Sequence, residues 1–195
     1  VLSGIYPYGS YEGEIIFDGE PTRYRGIKDS EHDGIVVIQQ ELALSPHLSI
    51  AENIFLGNEQ ATRGIIDWAA TNKGASQLLE RVGLDESPDT KVIDIGVGKQ
   101  QLVEIAKALS KRVRLLVLDE PTAALNDDDS EALLELIRDL RREGVTCVII
   151  SHKLAEIRAI ADTTSIIRDG QTVRSYDMHG PEPVTEAMII RDMDG

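Results

Sequence analysis

Leu115-Leu116-Val117-Leu118 sets four apolar residues in a row with no polar alternation. That is the pattern of a strand covered on both faces, as in a parallel sheet packed between helices. Asp119 and Glu120 follow at once, and Pro121 stops the strand behind them. Ionised groups are too costly to bury unpaired, so both carboxylates are expected where the strand emerges, facing water, a metal or a ligand. Gly34-Ile35-Val36-Val37-Ile38 repeats the apolar run and ends at Gln39 and Gln40. Val145 to Ile150 repeats it again and ends at Ser151-His152.

Between these runs the spacing is helical. Ser49 is placed to cap a short helix, with Glu52 in the capping-box position and Gly57 beyond its end. Trp68 to Val82 has helical spacing and Gly83 breaks it. Asp94-Ile95-Gly96-Val97-Gly98-Lys99 opens a helix whose apolar face is Leu102, Ile105, Ala106 and Leu109. Residues 49–110 are thus expected to form a mostly helical block. Asn126 and Asp127 to Asp129 favour another helix start, with Leu133, Leu136, Ile137 and Leu140 as its stripe and Gly144 at its end. Strand, helix and strand from Leu115 to Ile150 make a βαβ unit.

At the amino end, Val1-Leu2-Ser3-Gly4 reads as the tail of a helix with Gly4 in a left-handed cap. Glu14 to Gly19 reads as a short strand entering a turn within an antiparallel flap, and Arg23 to Glu31 as polar connection. Pro183 to Met193 is expected to be a closing helix.

Composition narrows the function classes. The 195 residues suit one domain, and an apolar content of 42% is enough for a core. A formal charge of −14 argues against broad binding to nucleic acid or an anionic membrane. The one cysteine, Cys147, lies in an apolar run as a small buried hydrophobe, which fits a reducing compartment. No apolar run approaches the ~20 residues of a membrane-spanning helix, so the chain is not expected to cross a bilayer.

Neighbouring parallel strands deliver their carboxyl ends to one edge, so Gln40, Asp119, Glu120 and His152 are candidates for a single site. Singly, each is as well explained as a solvated or structural residue. Together they suit phosphoryl transfer. Asp119 would help hold Mg²⁺, directly or through water, Glu120 would polarise an attacking water, and Gln40 and His152 would position water, metal and γ-phosphate. Gly96 to Lys99, at a helix entrance, is either a phosphate site or simply a permissive glycine turn.

These residues resemble the nucleotide-binding subunits of ABC transporters, over nearly all of the chain from Glu12 to Gly195. Leu115 to Glu120 is similar to a Walker B strand with its catalytic glutamate. Gln40 falls at the Q-loop, followed by Ser45-Pro46-His47-Leu48-Ser49-Ile50-Ala51-Glu52-Asn53. Gly96, Val97, Gly98, Lys99 and Gln101 fall at the signature loop and its helix, Asn126 at the D-loop and His152 at the H-switch. Gln40-Glu41-Leu42, Asn53 to Gly57 and Gly98 to Ile105 are most similar to the first cassette of monosaccharide importers, whose subunits carry two cassettes in tandem.

The resemblance implies a P-loop NTPase-like α/β cassette with a mostly parallel sheet, a helical subdomain and a small antiparallel flap. It also implies that ATP and Mg²⁺ are bound. Catalysis would involve Glu120, His152 and Gln40, and the metal would be held by Asp119 and Gln40. Nucleotide contacts would come from Gly96, Val97, Gly98, Lys99, Gln101 and Asn126. Implied partners are transmembrane permease subunits, a second cassette and, indirectly, a sugar-binding protein, on the cytoplasmic face of the membrane. Pro46, Leu48 and Phe55 are candidates for permease contact.

Three features depart from the family pattern. No G-x-x-x-x-G-K-[ST] loop occurs, and its near match at Gly98-Lys99 fails at Ile93 and Gln100. Gly96 and Lys99 replace the usual serine and glutamine of the signature, and Asn126 replaces the D-loop aspartate. The expectation is therefore one partial domain, truncated after the Walker A motif, lacking that loop and inactive as such. The alternatives are a non-catalytic regulatory or assembly cassette and a soluble ABC ATPase outside transport.

Overall fold

The structure, a computed structural model, describes residues 1–59, 61–62 and 65–194. These separate into two units, Val1–Ile150 and Ser151–Gly195.

In the first unit, Val1 to Gly4 forms a turn and no helix: the Gly4 N–H donates to the Val1 carbonyl at 2.9 Å. Gly4 does take the left-handed conformation, at φ +74°, and a Cβ there would collide with the Gly26 carbonyl. β1 (Ile15–Phe17) and β2 (Glu20–Thr22) pair antiparallel through Asp18 and Gly19, at φ +53° and +81°. Two positive φ values give the tight turn whose twist suits a hairpin, so the expected strand and turn form the flap. The stretch Arg23 to Glu31 is not all connection. It holds the short helix α1 (Ile27–His32), before which the Asp29 carboxylate accepts the Arg25 N–H at 2.8 Å.

The expectation of a fold whose phosphate-loop end is missing is corrected here, because the amino-terminal region of β1, β2 and α1 is intact. The Tyr8 N–H donates to the Tyr24 carbonyl at 2.7 Å, and Ser30 Oγ donates to the Ser3 carbonyl at 2.9 Å. Tyr24 is itself buried, at 3% exposure. Ion pairs from Arg114 to Asp18 and from Lys111 to Glu31 tie the region to later elements. The lack of one glycine pattern carried no information about these backbone and side-chain ties.

β3 (Ile35–Ile38) then enters the sheet, and α2 (Ile50–Phe55) follows with its capping box formed. A small hairpin of β4 (Ala61–Thr62) and β5 (Ile65–Ile66) precedes α3 (Trp68–Arg81). One 3-10 turn, Val92–Asp94, leads into α4 (Val97–Leu109). After β6 (Leu115–Asp119) come α5 (Asp127–Arg142) and β7 (Thr146–Ile150). The sheet order is β3-β6-β7, all parallel, with Ile38 opposite Leu118 and Asp119 opposite Ile150. Parallel register brings the ends of β3, β6 and β7 to one edge, and that sets the site.

Leu116, Val117 and Leu118 are buried as their unbroken run indicates. β7 differs: its burial alternates, with Val148 43% and Ile150 50% exposed and Cys147 half-buried. It is paired on one side only among the described residues. On α4 the buried face is wider than the expected stripe, taking in Gln101, Val103, Glu104 and Ala108, while Leu102 is only half-buried.

In the second unit, α6 (Leu154–Ile160) precedes a hairpin of β8 (Thr163–Arg168) and β9 (Gln171–Asp177), and α7 (Glu186–Asp194) falls within the expected closing segment. Its core is Ile166, Tyr176 and Ile189, flanked by Leu154, Met178, Val184 and Met188.

Candidate functional site

The carboxyl ends of β3 and β6 face a cleft of about 380 Å³ lined by Gln40, Glu41, Gln101, Glu120, Pro121, Ala123 and Ala124. Gln40 lies two residues beyond β3, and Glu120 one residue beyond β6. Gln101 comes from the first turns of α4 and is 7% exposed, a buried amide at the edge of the cleft. The structure thus unites three of the residues expected from the sequence.

Glu120 has a conformation the sequence did not reveal. Its φ is +44°, in the left-handed region that side chains rarely adopt. Its N–H donates to the Ile150 carbonyl at 2.8 Å, continuing the β6–β7 ladder one step, and its own carbonyl accepts the Ala123 N–H at 3.1 Å. Strand pairing on one side and a turn on the other hold the residue in that strained form, the kind of backbone strain that concentrates at functional sites. Asp119 is the last residue of β6 and is half-buried.

The signature-like residues begin α4. Gly96 is its N-cap, with Val97 the first helical residue and Gly98 and Lys99 next, Gly96, Val97 and Lys99 all being exposed. Gly98 abuts the Asp129 side chain of α5, so any Cβ there would drive that carboxylate aside. Lys99 Nζ pairs with Glu86 Oε1 at 2.5 Å, which raises the lysine pKa and keeps the ammonium charged. Its charge already has a partner on the chain. Asn126 caps α5, accepting the Asp129 N–H at 2.8 Å, while its Nδ2 donates to Asp129 Oδ2 at 2.9 Å. The helix entrance is set by a residue that motif reading passed over: Gln100 Nε2 donates to the Ile95 carbonyl at 2.9 Å and to the Val92 carbonyl at 3.1 Å.

His152 is an exposed residue near the start of the second unit, just ahead of α6. Of the candidates for permease contact, Pro46 is exposed and Leu48 half-buried, but Phe55 is 5% exposed with its ring against Gly74. Phe55 is a core residue. Its neighbour Leu56, at 53% exposure, is the apolar side chain that faces outward there.

Comparison with known proteins adds to this geometry. The family model described as ABC transporter matches residues 1–123. The L-arabinose transport ATP-binding protein AraG of Geobacillus stearothermophilus is 61% identical over all 195 residues, which span 38% of that protein. The xylose import ATP-binding protein XylG of Escherichia coli K12 is 55% identical over 195 residues, spanning 37% of it. The chain therefore covers less than two fifths of the length of these relatives.

Among solved structures, a nucleotide-free ATP-binding cassette from an ABC transporter matches with a TM-score of 0.79 at 22% identity, covering 100% of this chain and 78% of that one. A dimeric cassette in a post-hydrolysis state bound to ADP and Pi matches with a TM-score of 0.70 at 26% identity, covering 87% and 75%. Both the family model and the nucleotide-free cassette include the amino-terminal region. With β1, β2 and α1 intact, they correct the description of the chain as truncated after the Walker A motif.

Proposed function

The chain belongs to the ABC transporter family, and from that premise we propose that it is an ATP-binding and ATP-hydrolysing cassette of an importer for a monosaccharide of the arabinose or xylose kind. The observation that carries this reading is the cleft in which Gln40, Gln101 and a strained Glu120 meet at the ends of parallel strands. Kinship with the arabinose and xylose proteins supports the choice of sugar.

The donor set at the strand ends suits Mg²⁺. Asp119 and the Gln40 amide offer hard oxygens, and among the described residues no cluster of three or more His, Cys, Asp or Glu side chains builds a closed cage. Mg²⁺ takes few protein ligands and fills the rest with water and phosphate oxygens, and when bound it neutralises charge on the transferred phosphoryl group. In this reading Glu120, whose turn aims it into the cleft, accepts a proton from the attacking water. Gln40 orients that water. Gly96, Val97, Gly98, Lys99, Gln101 and Asn126 contribute to nucleotide contacts between paired cassettes.

A second cassette, permease subunits and a sugar-binding protein complete the assembly at the cytoplasmic face of the membrane, and no nucleic acid is involved. No helix among the described residues is long and apolar enough to cross a membrane, which suits a subunit attached through its partners.

The test is Mg-ATP binding and hydrolysis by the whole chain beside Glu120→Gln. Binding retained by both, with hydrolysis at least ~100-fold lower in the variant, is the expected result. Absence of Mg-ATP binding, or hydrolysis indifferent to the substitution, overturns the reading. With the cognate permease and binding protein reconstituted, arabinose or xylose should stimulate turnover, and indifference to both sugars would overturn the substrate class.

A further inference from the structure

β2, the two residues after it and α1 line a second cleft, of about 330 Å³, that shares no residue with the one at the strand ends. Pro21 and Thr22 come from β2, Asp29 from α1 and Asp33 from the cap of that helix. Tyr24 lines the same cleft and is 3% exposed. Its hydroxyl is shut off from solvent and has no hydrogen-bond partner among the described residues. Thr22 and Asp33 are its polar neighbours, yet neither is placed to bond it. The Thr22 hydroxyl donates elsewhere, to the Ile15 carbonyl at 3.3 Å. Burial pushes the Tyr24 phenol above its ordinary value of 10.0, so it keeps its proton and stays a donor. Buried polar groups are nearly always bonded, so an orphan hydroxyl at the wall of a cleft needs an explanation.

Packing does not supply one, because a phenylalanine would fill the same space without the cost of an unmet donor. The backbone around Tyr24 is also fixed in advance. The Tyr24 carbonyl accepts the Tyr8 N–H at 2.7 Å, and the N–H of Arg25 donates to Asp29 Oδ2 at 2.8 Å. Arg23, a further lining residue, lies over the Tyr8 ring with its guanidinium carbon 4.9 Å from the centroid. A wall held in this way costs little to order when a guest arrives.

The lining decides the class of guest. Asp29 and Asp33 repel phosphate and carboxylate groups, which disfavours nucleotides and other anions. Among the described residues no three His, Cys, Asp or Glu side chains gather as a metal site, and Arg23 opposes a cation. The remaining class is a neutral molecule whose groups both donate and accept: donors for the two carboxylates, acceptors for Tyr24 and Arg23. Neighbouring hydroxyls on one ring meet that demand, and Pro21 offers an apolar surface to the C–H groups between them. The volume lies at the small end of ligand pockets, which suits a single sugar ring.

We propose that the cleft between β2 and α1 binds a neutral monosaccharide, with the Tyr24 hydroxyl donating to it and Asp33 accepting from it. The choice of L-arabinose and D-xylose as first probes rests on the importer reading above; the site itself does not.

The experiment is an NMR titration of the whole chain without nucleotide, for wild type, Tyr24→Phe and Asp33→Ala. L-arabinose, D-xylose, D-glucose, glycerol and inorganic phosphate are added separately. A pentose should shift the amides of residues 21–33 and leave those of Gln101 and Glu120 unmoved. Tyr24→Phe and Asp33→Ala should each raise the Kd about tenfold. Without sugar, Tyr24→Phe should unfold at no lower temperature than wild type, since it removes an orphan group and no bond. A lower midpoint with unchanged sugar affinity would show a hydroxyl that serves the fold alone, and overturns the proposal. So does the absence of shifts at 21–33 with all three sugars, or phosphate shifting the same residues. Glycerol bound as tightly as the sugars overturns the assignment to a sugar ring. A site that answers only to D-glucose upholds the proposal and overturns the choice of pentose. If the sugars bind while the chain fails to hydrolyse Mg-ATP, the importer reading falls and the site stands.

Discussion

At the scale of single residues, two carboxylates are held in forms that cost stability, and each cost can be measured. Glu120 sits at φ +44°. A side chain in the left-handed region costs about 1–2 kcal/mol, while glycine's extra freedom in the unfolded chain returns about 0.5–1 kcal/mol. Glu120→Gly is therefore expected to raise the unfolding free energy by about 0.5–1 kcal/mol in denaturant titration, even as it removes the proposed base. A loss of stability would show that the Glu120 side chain holds the turn. Glu104 carries a different cost: burial raises its carboxyl above the ordinary value of 4.5, against the opposing pull of Lys107, the Ala43 N–H and Lys111. A carboxyl with a raised folded pKa binds its proton more tightly when folded. Its contribution to stability is full below the unfolded value and is lost as pH rises through the folded one. Glu104→Leu should then be more stable than wild type near pH 7, by on the order of 1 kcal/mol, with the gap closing toward pH 4.5. A gap that widens on acidification would contradict the burial account.

At the scale of elements, the segments legible in the sequence are those whose determinants lie close together in the chain. The Ser49 hydroxyl accepts the Glu52 N–H at 3.2 Å and the Glu52 carboxylate accepts the Ser49 N–H at 2.7 Å, a capping box written within four residues. Asn126 likewise caps α5, and Leu133, Leu136, Ile137 and Leu140 are buried as their spacing requires. The gathering of Gln40 and Glu120 was legible too, because parallel neighbours end on one edge. Contacts made at a distance were not. α1 has a polar sequence and is held through Ser30 and Ser3; β9 is exposed along its length except at Tyr176. Glu104 looked like a polar interruption between Val103 and Ile105, and only folding shows it buried, at 8% exposure. Asn53 was visible as part of a family-like segment, yet its role emerges only from its bonds to the Ser45 N–H and carbonyl and the Ser49 carbonyl at 2.9 Å, at 0% exposure. Asn53→Ala leaves the Ser45 N–H and carbonyl without that partner and should cost about 2–3 kcal/mol, against about 1 kcal/mol for Ser49→Ala. Equal losses in thermal denaturation would show that the cap, and not the amide network, secures α2.

At the scale of the whole molecule, charge and the open sheet edge act against each other. The formal charge of −14 makes like-charge repulsion a destabilising term in the folded chain. Raising ionic strength from about 0.01 M to 0.15 M shortens the screening length from about 30 Å to 8 Å, so the thermal midpoint should rise over that interval. The same repulsion keeps copies apart. β7 is paired on one side only among the described residues, and its exposed face carries Val148 and Ile150. An apolar strand with a free edge is a template for pairing with another chain. Salt is therefore expected to raise the midpoint of unfolding and also to promote self-association, two effects that usually run in opposite senses when association follows from unfolding. Val148→Lys separates them by placing a charge on the exposed strand while leaving the net charge of the rest nearly unchanged. In light scattering at about 0.15 M salt the variant should stay monomeric where wild type associates, with the salt dependence of its midpoint preserved. Association equal in both proteins would place the sticky surface elsewhere than β7, and association that falls as salt rises would show attraction between charged patches instead of strand pairing.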